Sequence, residues 1–189
     1  MSLALALSAI DAANALDPNL VEVDGAQRPK ELVHAERMSR WVVELDPSAD
    51  DAQRLAARAH HFRRWTWPRS AYPEGRAGYL KWRRLARAGQ AAEVRALLVE
   101  CGVPEDVAAD TARIVNKDEL GSDPRSQTHE DALCLVFFEL QGSETATALG
   151  PKAPTVVAKT LAKMSPGAKD RLLSMTLDPG LMAVIRDQL

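Results

Sequence analysis

Apolar residues recur every three or four positions along almost the whole chain, which is the spacing of one face of an α-helix. In the segment 30–45, for example, His34, Met38, Trp41 and Leu45 share one face at spacings of four, three and four. The pattern predicts helices over residues 3–16, 30–45, 51–62, 78–88, 90–101, 104–116 and 127–141, then a tail of 152–164 and about 167–188. No stretch alternates as a strand does, and residues 21–28 are predicted to be a connector. The predicted fold class is therefore all-α.

The helix over 127–141 is the most apolar, so we expect it to be central and buried. A chain of 189 residues suits one domain with a proper core. We expect residues 1–149 to form the main helical domain and 150–189 to be a C-terminal helical extension of it. Cys101 and Cys134 lie in apolar helical contexts typical of buried reduced thiols, with a bridge or a reactive thiol as the alternatives.

Composition narrows the class of protein further. With 46% apolar and 26% charged residues the chain has the composition of an ordinary soluble globular protein. No apolar run approaches the ~20 residues that span a bilayer. The apolar start lacks a positively charged region and is soon interrupted by Asp11, which argues against a signal peptide. We expect a cytoplasmic protein that does not contact a membrane.

A basic aromatic loop, predicted over residues 63–84, differs from the rest of the chain. Between Arg58 and Arg87 nine Lys or Arg accompany one acid, Glu74, so the segment carries +8 while the whole chain is −2. Three of the four tryptophans and both tyrosines also lie here. Planar guanidinium groups pair with phosphate or carboxylate, so the segment is typical of an anion-binding site. Alternatively, the charged side chains could form a solvated surface, and the aromatic rings could pack the loop onto the core.

The four histidines fall at three places: His34, the pair His60–His61, and His129, with Asp131 two residues later. This order is similar to the HD-domain superfamily of metal-dependent phosphohydrolases, in which a His…His-Asp…Asp set binds metal. Here the middle pair is His-His, so the bridging carboxylate of a dinuclear site is missing. Neutral imidazoles and a carboxylate fix a divalent ion, which generates hydroxide near neutral pH and clamps phosphoryl oxygens. The resemblance implies metal ligation by His34, His60, His61 and Asp131.

Each of these residues also has a structural interpretation. His34 could be a satisfied core histidine. His60 and His61 would be about 100° apart on a helix and would reach one centre only by straddling it. Asp131 could do no more than complete a capping box at the start of its helix. His129 is expected to face solvent.

The chain resembles the uncharacterised domain-of-unknown-function 4202 family in four stretches. They read AIDAANALDPN near the start, PKELVHAERMSRW at 29–41, LAARAHHFRRWTWPRSAYPEGRAGYLKWRR at 55–84, and IVNKDELGSDPRSQTHEDALCLVFFE at 114–139. The family pattern carries over onto Glu31, Arg37, Met38, His61, Arg64, Trp65, Pro68, Arg69, Tyr79, Trp82, Arg83, Lys117, Asp123, Glu130 and Asp131. Family members often have other residues at positions 34, 60 and 129. The resemblance therefore implies a core of His61 with the Glu130–Asp131 pair, and it implies no activity.

Together these patterns favour an HD-like helical bundle that hydrolyses a phosphorylated small molecule or nucleotide with a divalent metal, one of Mn, Fe, Zn or Ni. Glu130 is the expected metal ligand or general base, and Lys117 acts with it on the anion. The expected substrate-binding residues are Arg37, Arg63, Arg64, Arg69, Tyr79 and Arg83. The alternatives are a non-catalytic module that binds a nucleotide or RNA, an HD-type iron oxygenase, and a structural role in which the loop docks a partner.

Overall fold

The computed structural model describes residues 3–140, 142 and 150–189, and these are mostly helical, as predicted. The helices are α1 (Leu3–Asn14), α2 (Lys30–Leu45), α3 (Asp51–Arg58), α4 (Gly75–Glu100), α5 (Glu105–Asn116), α6 (Pro124–Leu140), α7 (Ala153–Leu161), α8 (Pro166–Leu173) and α9 (Pro179–Asp187). Within these residues no helix combines the length and the apolar character needed to cross a bilayer.

A small hairpin replaces the predicted connector between α1 and α2. Strand β1 (Leu20–Val23) pairs antiparallel with β2 (Ala26–Pro29) in the register Val23 opposite Ala26. The turn consists of Asp24 and Gly25, both with positive φ (52° and 78°), which is the Asp-Gly signature of a tight hairpin. The prediction of no strand was wrong because four-residue strands, exposed on one face, give too short an alternation to recognise.

Helix α4 is one continuous helix where two were predicted, and it shortens the predicted loop 63–84 to residues 63–74. The expected break at Gly89 does not occur. A Cβ at this position would lie 2.1 Å from the ring of Trp67, so glycine admits the indole against the helix. Short 3₁₀ turns at Arg64–Thr66 and Arg69–Ala71 shape the loop before α4.

Helix α3 starts as predicted and ends earlier. The Asp50 side chain accepts from the Gln53 backbone N–H, and the Gln53 side chain accepts from that of Asp50, which completes a capping box. The helix ends at Arg58 rather than at Phe62. The two histidines that follow therefore lie outside it.

Two hydrophobic clusters form the core of the described residues. One joins α2, α6 and the C-terminal helices α7 to α9, and the other joins α1, α3, α4 and α5. Helix α6 is central as expected: Leu135, Val136 and Phe138 are at most 1% exposed. Both cysteines are free; Cys134 is buried and Cys101 half-buried. Helix α2 packs against both α3 and α6, so the two clusters meet beside the loop that follows α3.

Candidate functional site: a histidine cluster in a cationic cleft

A cleft of about 310 Å³ is lined by residues of α2, α4 and α6, by the loop after α3 and by the end of α5. Its floor carries three histidines from α2 and from the loop after α3. Its walls come from α4, α6, the end of α5 and the segment after α7. Five cationic side chains line it, namely Arg64, Arg83, Arg87, Lys117 and Lys163, and Glu130 is its acidic member. This is the place where the predicted basic segment and the predicted histidine set come together.

His34, His60 and His61 form a compact cluster. Their ring centroids are 4.3 Å (His60 to His61), 4.6 Å (His34 to His61) and 5.4 Å (His34 to His60) apart. One nitrogen atom of each ring lies within 4.8 Å of those of the other two. Three predicted metal ligands, distant in sequence, are thus brought to one point.

The local backbone explains why adjacent histidines can face one centre. The expected angle of about 100° between His60 and His61 assumed a helix, but α3 has already ended. His61 adopts a left-handed conformation (φ 62°), and so does Arg63 (φ 46°). Such a conformation costs an L-residue about 1–2 kcal/mol, so the surrounding packing must hold this turn in place.

His129 is the fourth member of the cluster, and the expectation that it faces solvent was wrong. It is 2% exposed, and its Nε2 lies 2.8 Å from Nδ1 of His60. One of these nitrogens must donate and the other accept. If His60 donates from Nδ1, its buried Nε2, which has no hydrogen-bond partner among the described residues, becomes a free acceptor. The contact with His129 therefore occupies Nδ1 of His60 and leaves Nε2 as the nitrogen that can bind a ligand.

Burial favours the neutral form of all four imidazole rings. Burial lowers the pKa of His34 and of His129 to about 3, and the charges of Arg64 beside His34 and of Lys117 beside His129 act in the same direction. Burial and the neighbouring rings hold the pKa values of His60 and His61 well below the ordinary 6.5. Neutral imidazole is the form that binds metal.

Glu31 faces the cluster from the start of α2. Its Oε2 is 3.3 Å from Nδ1 of His61 and makes no hydrogen bond to a described residue. Burial raises its pKa to about 7, although the charge of Arg64 lowers it. A carboxyl group that titrates near neutral pH therefore lies against a ring of which 24% is exposed. The family resemblance marked this position without giving it a role.

Lys117 and Glu130, the predicted catalytic pair, do meet. They form a buried ion pair, with side chains 9% and 3% exposed, and Lys163 approaches Glu130 Oε1 at 3.6 Å. Burial alone would raise the pKa of Glu130, but Lys117 outweighs it and the pKa is lowered. A carboxylate held by two ammonium groups is a weak base. Lys117 itself has a left-handed backbone (φ 59°) at the end of α5.

Asp131 is not brought to the histidines. Its Oδ1 accepts hydrogen bonds from the Gln127 side chain (3.0 Å) and from the backbone N–H of Ser165 (2.8 Å). It also lies seven residues inside α6, which starts at Pro124, so it is not in a capping box. Its contacts tie α6 to the segment before α8, next to Lys163, and so help to hold that lysine at the cleft.

The predicted substrate-binding residues separate into two groups. Arg64, Tyr79 and Arg83 line the cleft. The other three contact the protein elsewhere: Arg37 pairs with Glu139 (3.5 Å), Arg63 pairs with Glu93 (3.4 Å), and Arg69 donates to the carbonyl oxygens of Tyr72 and Pro73 (both 2.8 Å).

Sequence reasoning missed Arg87, Gln90 and Lys163 as lining residues. The first two could have been found, because Tyr79, Arg83, Arg87 and Gln90 are spaced by four, four and three, the repeat of one helix face. Lys163 comes from the C-terminal extension, where no local pattern indicates a site.

Comparison with known proteins gives one match. The profile of the family described as "Domain of unknown function (DUF4202)" matches residues 4–185, which include every residue of the cleft. Neither the curated proteins nor the solved structures contain a match to the chain.

Proposed function

Since the chain belongs to the DUF4202 family, whose description assigns no activity, we propose a function from its cleft. The protein is a metal-dependent, HD-like hydrolase of a phosphorylated small molecule. The observation that carries this proposal is the convergence of three neutral histidines, His34, His60 and His61, beneath a ring of cationic side chains.

The donor set fits a divalent transition metal. Imidazole nitrogens suit Zn, Cu, Fe and Ni, whereas Mn prefers carboxylates, so the all-histidine set favours Zn, Fe or Ni. Two nitrogens bound to one ion at about 2.1 Å can be at most about 4.2 Å apart. Ligand nitrogens within 4.8 Å of one another need only small ring rotations to reach that separation. A bound ion would act as a Lewis acid toward a phosphoryl oxygen and would lower the pKa of a water molecule.

Two neighbours support ligation through the Nε2 atoms. His129 contacts Nδ1 of His60, and Glu31 faces Nδ1 of His61. Partners at the far ring nitrogen are the usual way in which proteins orient metal-binding histidines. Glu31, with its pKa of about 7, is also better suited to move a proton than Glu130, which two lysines stabilise as the anion.

The cationic walls support an anionic substrate. Arg64 and Arg83 make no salt bridge to a carboxylate within the part of the chain that the structure describes. Each packs on an aromatic ring instead, Arg64 on Trp82 (4.8 Å) and Arg83 on Tyr79 (5.7 Å). An extended RNA surface receives less support, because Arg63 and Arg69 of the loop are engaged in contacts within the protein.

Metal content of untagged protein tests the proposal, since a histidine tag would add ligands of its own. Wild type, His61→Ala and Asp131→Asn should be loaded with Zn, Ni or Fe(II), desalted and analysed. We expect near-stoichiometric metal in wild type, little in His61→Ala, and full metal in Asp131→Asn, which removes the charge of Asp131 and keeps an oxygen acceptor for its two hydrogen bonds. Metal loss from a folded Asp131→Asn would return Asp131 to the ligand set.

If the wild-type protein stays metal-free after loading, the hydrolase proposal is refuted, and the non-catalytic binding module remains as the function to test. For metal-loaded protein, phosphate release from phosphomonoesters and oxygen uptake separate the hydrolase from an iron oxygenase. The oxygenase is the second candidate because the same imidazole set suits Fe(II).

A further inference from the structure

One face of α4 forms a continuous wall of the cleft. Tyr79, Arg83, Arg87 and Gln90, which we call the α4 wall, all line it, and they extend about 16 Å along the helix axis at 1.5 Å per residue. The wall begins with a half-exposed tyrosine and ends with an amide that is 2% exposed. It therefore offers polar groups at increasing depth rather than at one point.

The deep end of the wall has hydrogen-bond donors without acceptors. The side-chain nitrogen of Gln90 and the Nε of Arg87 are buried and make no hydrogen bond to any described residue. A buried donor without an acceptor costs about 1–3 kcal/mol. Both groups belong to side chains that line the cleft, so a rotation of either side chain would bring its free donor to an oxygen acceptor of a ligand that enters the cleft.

The cationic side chain of Arg64 lies near the α4 wall. Arg64 follows the histidine pair, and its charge helps to lower the pKa values of His34 and His61. Burial lowers the pKa of Arg64 itself, and the charge of Arg83 adds to this while Glu31 opposes it. The guanidinium groups of Arg64 and Arg83 are thus close enough to repel one another. A single anionic group at Arg64 would leave Arg87 and Gln90, further along α4, without a counterpart.

We propose that the cleft has two separate anion subsites, one beside the histidines at Arg64 and Arg83 and one deeper on the α4 wall at Arg87 and Gln90. Its ligand is accordingly a small molecule with two anionic oxygen groups, such as two phosphates or a phosphate and a carboxylate. This inference rests on the proposed function for the anionic substrate class, and it adds the requirement for a second group at a fixed separation.

A series of α,ω-alkanebisphosphonates with one to five methylene groups tests the spacing, because all members carry the same two headgroups. Affinity should be measured by titration calorimetry on chelator-treated protein. We expect one linker length to bind at least about tenfold more tightly than the shortest and longest members, the effect of one well-made charge-assisted hydrogen bond. Methylphosphonate, with one headgroup, should bind about as weakly as the worst member.

Two variants locate the second subsite. Arg87→Gln and Gln90→Met should each lower the affinity of the optimal linker about tenfold more than that of methylphosphonate, because the single headgroup can still use the subsite at Arg64. The dependence on linker length should therefore flatten in both variants. Arg84→Gln is the matched control, since it removes the same charge from an exposed position of the same helix. It should preserve the optimum.

The inference would be overturned by equal affinity across the linker series in wild type, or by equal effects of Arg84→Gln and Arg87→Gln. Either result would mean that the positive charges of the cleft attract anions without forming two subsites. These titrations use chelated protein, so their outcome is independent of metal content. A protein that binds metal without a linker optimum retains the proposed function and loses the second subsite. A protein with a linker optimum that takes up no metal retains the subsite and loses the hydrolase.

Discussion

Acidification from pH 7 to pH 5 should destabilise the metal-free protein through its histidine cluster. The pKa of His34 and that of His129 are lowered by burial to about 3, from an ordinary 6.5. Such a group binds a proton mainly in the unfolded state. The stability it contributes is therefore fully present above pH 6.5 and is lost as the pH falls towards 3.

The magnitude follows from these pKa values. At pH 5 each of the two histidines favours the unfolded state by about 2 kcal/mol relative to pH 7, or about 4 kcal/mol together. Glu31 acts in the opposite direction, because burial raises its pKa to about 7. Its contribution is full at low pH and lost as the pH rises through 7, so acidification to pH 5 regains about 2 kcal/mol. The lowered pKa values of His60 and His61 add to the loss.

The net expectation is a loss of about 2 kcal/mol or more, a large part of the about 5–15 kcal/mol that stabilises a typical domain. Urea unfolding at pH 7, 6 and 5 with chelator measures it, and His129→Gln should reduce the pH dependence. The chain has four histidines and all belong to the cluster, so histidine NMR reports on the cluster alone. Four rings that titrate near pH 6.5 in the folded protein, or a stability that does not fall by pH 5, would refute the reasoning.

Two further substitutions test the packing and the buried ion pair by urea unfolding. Gly89→Ala should cost about 1–3 kcal/mol and change the tryptophan fluorescence, because its Cβ would overlap the ring of Trp67. Gly167→Ala, whose Cβ would meet no atom within 4 Å, should be neutral or slightly stabilising, and equal effects would contradict the packing. Lys117→Gly should cost about 2–4 kcal/mol, since it leaves Glu130 short of its buried partner. Adding Glu130→Leu should recover that loss, and a fully stable single variant would mean that the pair contributes nothing.

Sequence periodicity was sufficient for the parts of the fold that local burial determines. His34, Met38 and Trp41 were predicted on one face of a helix and all three are buried on α2. A spacing of three and four residues shows which side of a helix is apolar, and this does not depend on which element the helix packs against. The resemblance to the HD-domain superfamily, and not periodicity, marked His34 and His61 as candidate ligands, and both lie in the cluster.

The errors arise where a contact joins distant segments or where a helix ends. Nothing near His129 indicates that it will meet a ring 69 residues away. Asp131 was assigned by analogy with a motif, but its Oδ1 accepts hydrogen bonds from Gln127 and Ser165, and the residue does not line the cleft. Helix α3 ends at Arg58, and the turn that follows holds His61 in a left-handed conformation, which local propensity disfavours in a residue other than glycine.

The backbone around the cleft is arranged for something other than stability. Of the described residues other than glycine, four have positive φ, and Asp24 has an ordinary reason in its hairpin turn. The other three, His61, Arg63 and Lys117, lie in the segments that supply the cleft. Glycine at the end of α5 would remove the backbone strain at Lys117, and an apolar pair would often be at least as stable as the buried ion pair with Glu130. The backbone strain lowers stability here, the ion pair lowers it relative to an apolar pair, and the neutral histidines make it sensitive to acid. A ligand that uses these groups together is a physical reason for all three to occur at one place.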